Sequence, residues 1–248
     1  MKKTMFWIFI SAVVFTGAYY LSGMICDAVS ASAEEERLIP IYSVETDEKC
    51  VALTFDAAWG NEDTQILLDI LKENKVPATF FVTGQWADKF PEDVKKFYEA
   101  GHDIANHSYS HPHIADLSYE ELKEDTLSCN EKIKSITGES PLLYRGPYGE
   151  YSNTLIEMLH DSEMYYIQWD VDSLDWKDPN TETLVKNITK KVQNGSIVLL
   201  HNGAKNTPAA LPDIIKALKD DGYKFVLVKD MIYKTDYTTD HAGRQLKN

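Results

Sequence analysis

The chain has 248 residues, of which 44% are hydrophobic and 11% aromatic, enough to bury one sizeable core. A formal charge of −14 excludes a nucleic-acid backbone as partner, because that contact runs on clustered Lys and Arg. Three cysteines, Cys26, Cys50 and Cys129, are too few and too scattered for a disulfide framework, and the last two read as small core residues.

In chain order, Lys2 and Lys3 precede an uncharged apolar run over 4–26, followed by Ala31-Ser32-Ala33 and three glutamates. This pattern predicts an export segment over 1–33. The run is also long enough to span a bilayer, so retention as a membrane anchor stands beside cleavage after Ala33, and either outcome places the body of the protein outside the cytoplasm. A polar linker over 34–49 leads into a catalytic-sized domain over 50–232, and a polar tail over 233–248 reads as loose. Within the domain, strand patterns over 50–56, 78–84, 103–106, 142–145, 165–171, 196–201 and 224–228 alternate with helical patterns over 63–74, 91–100, 118–137, 153–160, 181–193 and 208–220. Ser118 with Glu121 forms a capping box, Gly101 and Gly222 follow helix ends, and Pro91 and Pro208 open helices. Apolar strands alternating with helices define an α/β chain with a parallel sheet covered by helices, closed as a barrel or left open.

In both architectures ligands bind at the C-terminal ends of the strands. There the strands run into Asp56, into "NHSYSHPH", into "RGPYG", into "DVDSLDW" and into His201. His107 and His111, four apart, share one face if the segment turns helically, the arrangement that grips a transition metal. Asp56 is a general-base candidate. Arg145 needs a buried anionic partner, for which Asp56 is in place. Asn61 and Asp63 read as caps of the helix over 63–74, and Trp59 as packing.

The ordered set TFD at 54–56, H-S-x-x-H at 107–111, R-G-P-Y-G at 145–149, D-S-x-x-W at 172–176 and L-L-H at 199–201 resembles the polysaccharide deacetylases, carbohydrate esterase family 4. The first motif, continued as TFD-x-x-W-G, is most similar to exported, sporulation-associated peptidoglycan deacetylases of Gram-positive bacteria. The resemblance implies a distorted (β/α)7 barrel and metal-assisted removal of acetyl groups from N-acetylated sugars. By motif position it implies Asp56 as base, oriented by Arg145. His107 and His111 would hold a divalent ion such as zinc, cobalt or manganese, and the Tyr148 backbone N–H would serve the oxyanion. His201 would be the acid, tuned by Asp172, and Trp176, Leu199 and Pro147 would form the acetyl pocket. The implied partner is a glycan such as peptidoglycan, with the membrane as a second contact if the leader is retained.

One position departs from the family pattern. Most members follow the TFD aspartate with a second aspartate that is the third metal ligand, and here that position is Ala57. Two alternatives therefore accompany the deacetylase: a glycan-binding protein on a catalytically impaired scaffold, and an O-acetyl esterase of the xylan-acting kind.

Overall fold

The computed structural model describes residues 37–248, and the export segment expected over 1–33, with Cys26, lies outside them. Residues Leu38–Asn248 form one compact unit. No helix among the described residues is long and apolar enough to cross a membrane.

The unit is built on an eleven-stranded sheet. Its strands are β1 (Ser43–Val44), β2 (Cys50–Ala57), β3 (Thr79–Val82), β4 (Asp103–Asn106), β5 (Leu143–Tyr144), β6 (Tyr165–Tyr166), β7 (Val171–Asp172), β8 (Ser196–His201), β9 (Lys224–Phe225), β10 (Tyr237–Thr239) and β11 (Arg244–Lys247). Strands β2 to β8 run parallel in the spatial order β6-β5-β4-β3-β2-β8-β7. β9 pairs with the start of β2, on the edge that β3 takes over from Thr54 onward.

Alternation along β2 decides what faces where. Val51, Leu53 and Phe55 pack with helical residues such as Leu67, Leu71 and Leu211, while Ala52 faces the other way, into a cluster with Phe81, Ile167 and Ile197. Thr54 and Asp56 follow Ala52 on that concave side, so the carboxylate arrives at the rim of the half-barrel because of strand period alone. The capping box at Ser118 opens the long helix Tyr119–Thr137 as expected, and a left-handed Gly138 ends it.

Several expectations change. The single strand over 165–171 is two short ones, β6 on β5 and β7 on β8, with no ladder between them among the described residues. Between them the Asp170 carboxylate accepts from Ser196 Oγ at 2.8 Å and from the Ile197 N–H at 2.9 Å, which turns the chain out of the ladder. The gap is filled by the segment before β1. Ile41 N–H donates to Tyr166 O and its carbonyl accepts from Gln168, and Ser43 pairs antiparallel with Ser196. The sheet is therefore a half-barrel of parallel strands whose gap is bridged by this segment, not a barrel closed by those strands alone, and the 34–49 segment is part of the fold from Leu38 onward. The turn after β3, expected as strand to residue 84, opens a short helix, Gly84–Lys89, capped by Thr83.

The tail is also not loose. β10 and β11 form an antiparallel hairpin that adds to the sheet edge through β1. Fully buried Gln245 accepts from the Tyr233 N–H at 2.8 Å and donates to its carbonyl at 2.7 Å. Gln245→Ala leaves both backbone groups unsatisfied and is expected to cost about 1–3 kcal/mol in urea unfolding. His102 supplies a pH signature: its Nδ1 accepts from the Ala78 N–H at 3.2 Å, and burial holds the imidazole down to about 4 from an ordinary 6.5. The unfolded chain then binds the extra proton first, so this stability is fully present above pH 6.5 and is lost as pH falls toward 4, by roughly 3 kcal/mol at most. Urea midpoints across that range are expected to fall with pH and to fall less in His102→Gln.

Candidate active site

Arg145 follows β5, is completely buried, and must have its charge met by neighbours. Its Nη1 donates to Asp56 Oδ1 at 2.7 Å and to Thr54 Oγ1 at 2.9 Å, Nη2 to the Gln168 carbonyl at 3.1 Å, and Nε to the Ile167 carbonyl at 3.4 Å. The guanidinium lies 4.0 Å from the Phe81 ring centroid, which completes its enclosure. Burial pushes the Asp56 carboxyl up, but the Arg145 charge, with His107 and His201, outweighs this and holds it below the ordinary carboxylate range. Asp56 is thus ionised at neutral pH, with Oδ1 taken by Arg145 and Oδ2 left for the cleft.

His107 leaves β4 beside it. Its Nδ1 donates to the Arg145 carbonyl at 2.8 Å, and because a carbonyl only accepts, the remaining Nε2 carries a lone pair. That nitrogen is 3.6 Å from Asp56 Oδ2. Burial pushes the His107 imidazole down to about 4, so the lone pair persists at neutral pH, and burial lowers His111 as well. The two rings meet at 5.0 Å between centroids. The loop does not do this by helical turning, as the spacing suggested: Ser108 and His111 take left-handed φ of 66° and 57°. Asn106 Oδ1 holds the Ser108 N–H at 2.7 Å, Ser108 Oγ accepts from the His111 N–H at 2.9 Å, and the Asp125 carboxylate accepts from the N–H groups of Tyr109 and Ser110. His113, the third histidine of this loop, donates to Glu150 at 2.7 Å and stacks on the Tyr148 ring at 4.1 Å.

Across the cleft, His201 ends β8. Its orienting acid is Asp175, not the expected Asp172. Asp175 Oδ1 accepts from His201 Nδ1 at 2.7 Å, and Oδ2 accepts from the His201 N–H at 2.8 Å and from Thr207 Oγ1 at 2.7 Å. Asp172 caps the turn instead, accepting from the Leu174 N–H at 2.8 Å, and adds only a weaker charge effect on His201. The stretch D-S-L-D offers two acids, and the short 3-10 turn Asp175–Lys177 brings the second one in. Burial pushes the His201 imidazole down, but the Asp175 hydrogen bond and charge, helped by Asp56, carry it above the ordinary value. With Nδ1 committed, Nε2 is the nitrogen left to hold a mobile proton.

These groups share a cleft of about 580 Å³, with Tyr148, Trp176, Leu199 and Trp59 also on its walls. Pro147, expected in the acetyl pocket, is buried and is not among those walls. Asn61 and Asp63 do not cap the next helix through their side chains: Asn61 Nδ2 donates to Asp93 and Asp63 accepts from the Gly203 N–H.

A catalytic zinc ordinarily takes three protein ligands. Here His107 and His111 are brought together, but Ala57 is a buried methyl within the core cluster, and no group of three His, Cys, Asp or Glu side chains fit to hold a metal occurs among the described residues. The donor set does not make the three-ligand site.

A parallel half-barrel with an ionised carboxylate and three histidines gathered at its C-terminal rim has the layout of an α/β enzyme site. The family description "Polysaccharide deacetylase" matches residues 43–167, and the chain belongs to that family. It is 36% identical over 185 residues to a peptidoglycan-N-acetylglucosamine deacetylase of Bacillus cereus, covering 73% of this chain and 67% of that one. It is 33% identical over 196 residues to the uncharacterized protein YlxY of Bacillus subtilis, covering 79% of this chain and spanning 61% of that relative's length. Among solved structures it is similar to a CE4 family pseudoenzyme from Bacillus anthracis, with a TM-score of 0.76, 33% identity and coverage of 79% and 70%. A mutant of that pseudoenzyme with restored enzymatic activity matches with a TM-score of 0.75.

The opposed partners of the histidines give a direct test. In NMR titration the His201 imidazole is expected to stay protonated to a pH above 6.5 and to lose its proton as pH rises through that raised value. Asp175→Asn is expected to move this titration acidward, and Asp172→Asn to move it less.

Proposed function

We propose that this chain removes acetyl groups from N-acetylated sugars of peptidoglycan or a related glycan outside the cytoplasm. The observation that carries this reading is the pair of proton carriers on one cleft: Asp56 as a carboxylate with one free oxygen, and His201 raised by Asp175. The lysine-led apolar run over 2–26 and the similarity to a peptidoglycan deacetylase support the substrate and the location.

In this reading water adds to the acetamide carbonyl carbon and gives its proton to Asp56 Oδ2. The Tyr148 backbone N–H, aimed by a left-handed φ of 59°, donates to the developing oxyanion. His201 Nε2 then gives its proton to the sugar nitrogen, the C–N bond breaks, and acetate and a free amine result. Leu199 and Trp176 enclose the acetyl methyl. A carboxylate held below its ordinary range is a weak base, so the rate depends on how strongly the water and carbonyl are polarised. His107 and His111 are the two donors available to a divalent ion, zinc, cobalt or manganese, and two ligands hold such an ion more weakly than three.

That missing donor favours a second reading, a glycan-binding protein that no longer turns over, and the similarity to a pseudoenzyme supports it. Acetate release from peptidoglycan fragments and chitooligosaccharides, after chelation and again with each metal added, separates the two. Deacetylation is expected to return with metal and to drop about 10²-fold or more in Asp56→Asn. Oligosaccharide binding with no release under any metal would overturn the enzymatic reading.

A further inference from the structure

Of the large hydrophobic side chains exposed among the described residues, Trp59, Tyr148 and Trp176 stand on the walls of the same cleft, 54%, 59% and 55% exposed. Clustered exposed aromatics mark a ligand surface rather than unfinished core. Each of the three has a neighbour on its ring. Tyr148 sits between His111, edge-on at 4.6 Å, and His113, stacked at 4.1 Å, while the Lys177 ammonium lies 4.6 Å over the Trp176 ring. Trp59 stands differently: its ring is tilted over His201, with 5.5 Å between centroids.

The backbone beneath Trp59 is fixed. The next carbonyl, Gly60 O, accepts from Trp86 Nε1 at 3.1 Å and from Asn202 Nδ2 at 2.7 Å, so the segment is tied both to the helix Gly84–Lys89 and to the residue after His201. An indole held out of the core on a pinned backbone, next to His201, has little backbone freedom left to lose on binding. Its electron-rich face suits a ligand with an apolar C–H face and hydroxyl edges, which is a pyranose ring.

We propose that Trp59 stacks the pyranose on the His201 side of the reacting sugar, so that the cleft takes an internal unit of an amino-sugar oligosaccharide rather than a free monosaccharide. This rests on the deacetylase reading for which sugar reacts, but the stacking itself needs neither metal nor turnover.

Calorimetric binding of chitotetraose and of N-acetylglucosamine to the full chain, to Trp59→Phe and to Trp59→Ala tests it without added metal. Trp59→Ala is expected to weaken chitotetraose about tenfold and Trp59→Phe by less than about threefold, with monosaccharide binding unchanged and the urea midpoint of each variant kept. Where acetate is released, Trp59→Ala is expected to raise KM about tenfold at unchanged kcat and unchanged pH profile. Equal tetramer binding in Trp59→Ala and wild type, equal weakening of tetramer and monosaccharide, or no oligosaccharide binding by the wild type would each overturn the platform. The tenfold loss in a protein that releases no acetate would leave the platform standing and remove the deacetylase reading alone.

Discussion

The site depends on one buried charge pair. Arg145 cannot shed its proton, so its burial requires an anion, and Asp56 is held to it at 2.7 Å on the concave side of β2. A pair of this kind contributes little net stability compared with apolar packing, because desolvation offsets the attraction. Its effect is positional. Arg145 also takes Thr54 Oγ1 and the carbonyls of Ile167 and Gln168, so the guanidinium ties β2 to the end of β6, where the half-barrel lacks a ladder. The carboxylate is kept ionised and turned so that one oxygen is committed and the other is not.

The same arginine reaches the histidine pair through its backbone. The Arg145 carbonyl fixes the His107 tautomer, and Asp175 fixes that of His201. A neutral acceptor adds little against burial, so His107 is driven down to about 4, whereas a carboxylate reverses burial and raises His201. Two imidazoles about one cleft thereby become a permanent lone pair and a proton reservoir. Residue type does not distinguish them; the partner on Nδ1 does.

Much of this could be read from the sequence because strand ends carry the chemistry. Strands over 103–106 and 196–201 lie where their patterns place them, and the helix cap at Ser118 is a local signal. What could not be read is set by partners distant in sequence. Whether 165–171 is one strand or two depends on Ser196 and Ile197 capturing Asp170, and the tail's strands have no apolar alternation because polar Gln245 anchors them through backbone groups. Asp175 was hidden for a similar reason. Either acid of D-S-L-D could face His201 until the turn at Asp175–Lys177 is formed. The left-handed residues of the histidine loop are likewise held by Asn106 and Asp125, which no spacing rule reports.

The short segment after β2 shows how separable the parts of the site are. Asp56 answers to Arg145, Ala57 to the apolar cluster, Trp59 to the cleft, and Gly60 to Trp86 and Asn202. Losing a donor at Ala57 removes nothing from the hydrogen bonds that set Asp56, His107 or His201, since none of them passes through that side chain. The buried charge pair, the two fixed imidazoles and the aromatic wall therefore persist whatever the affinity for an ion. On the proposed reading, the choice between enzyme and binding protein turns on the donor missing at Ala57 and not on the integrity of the cleft.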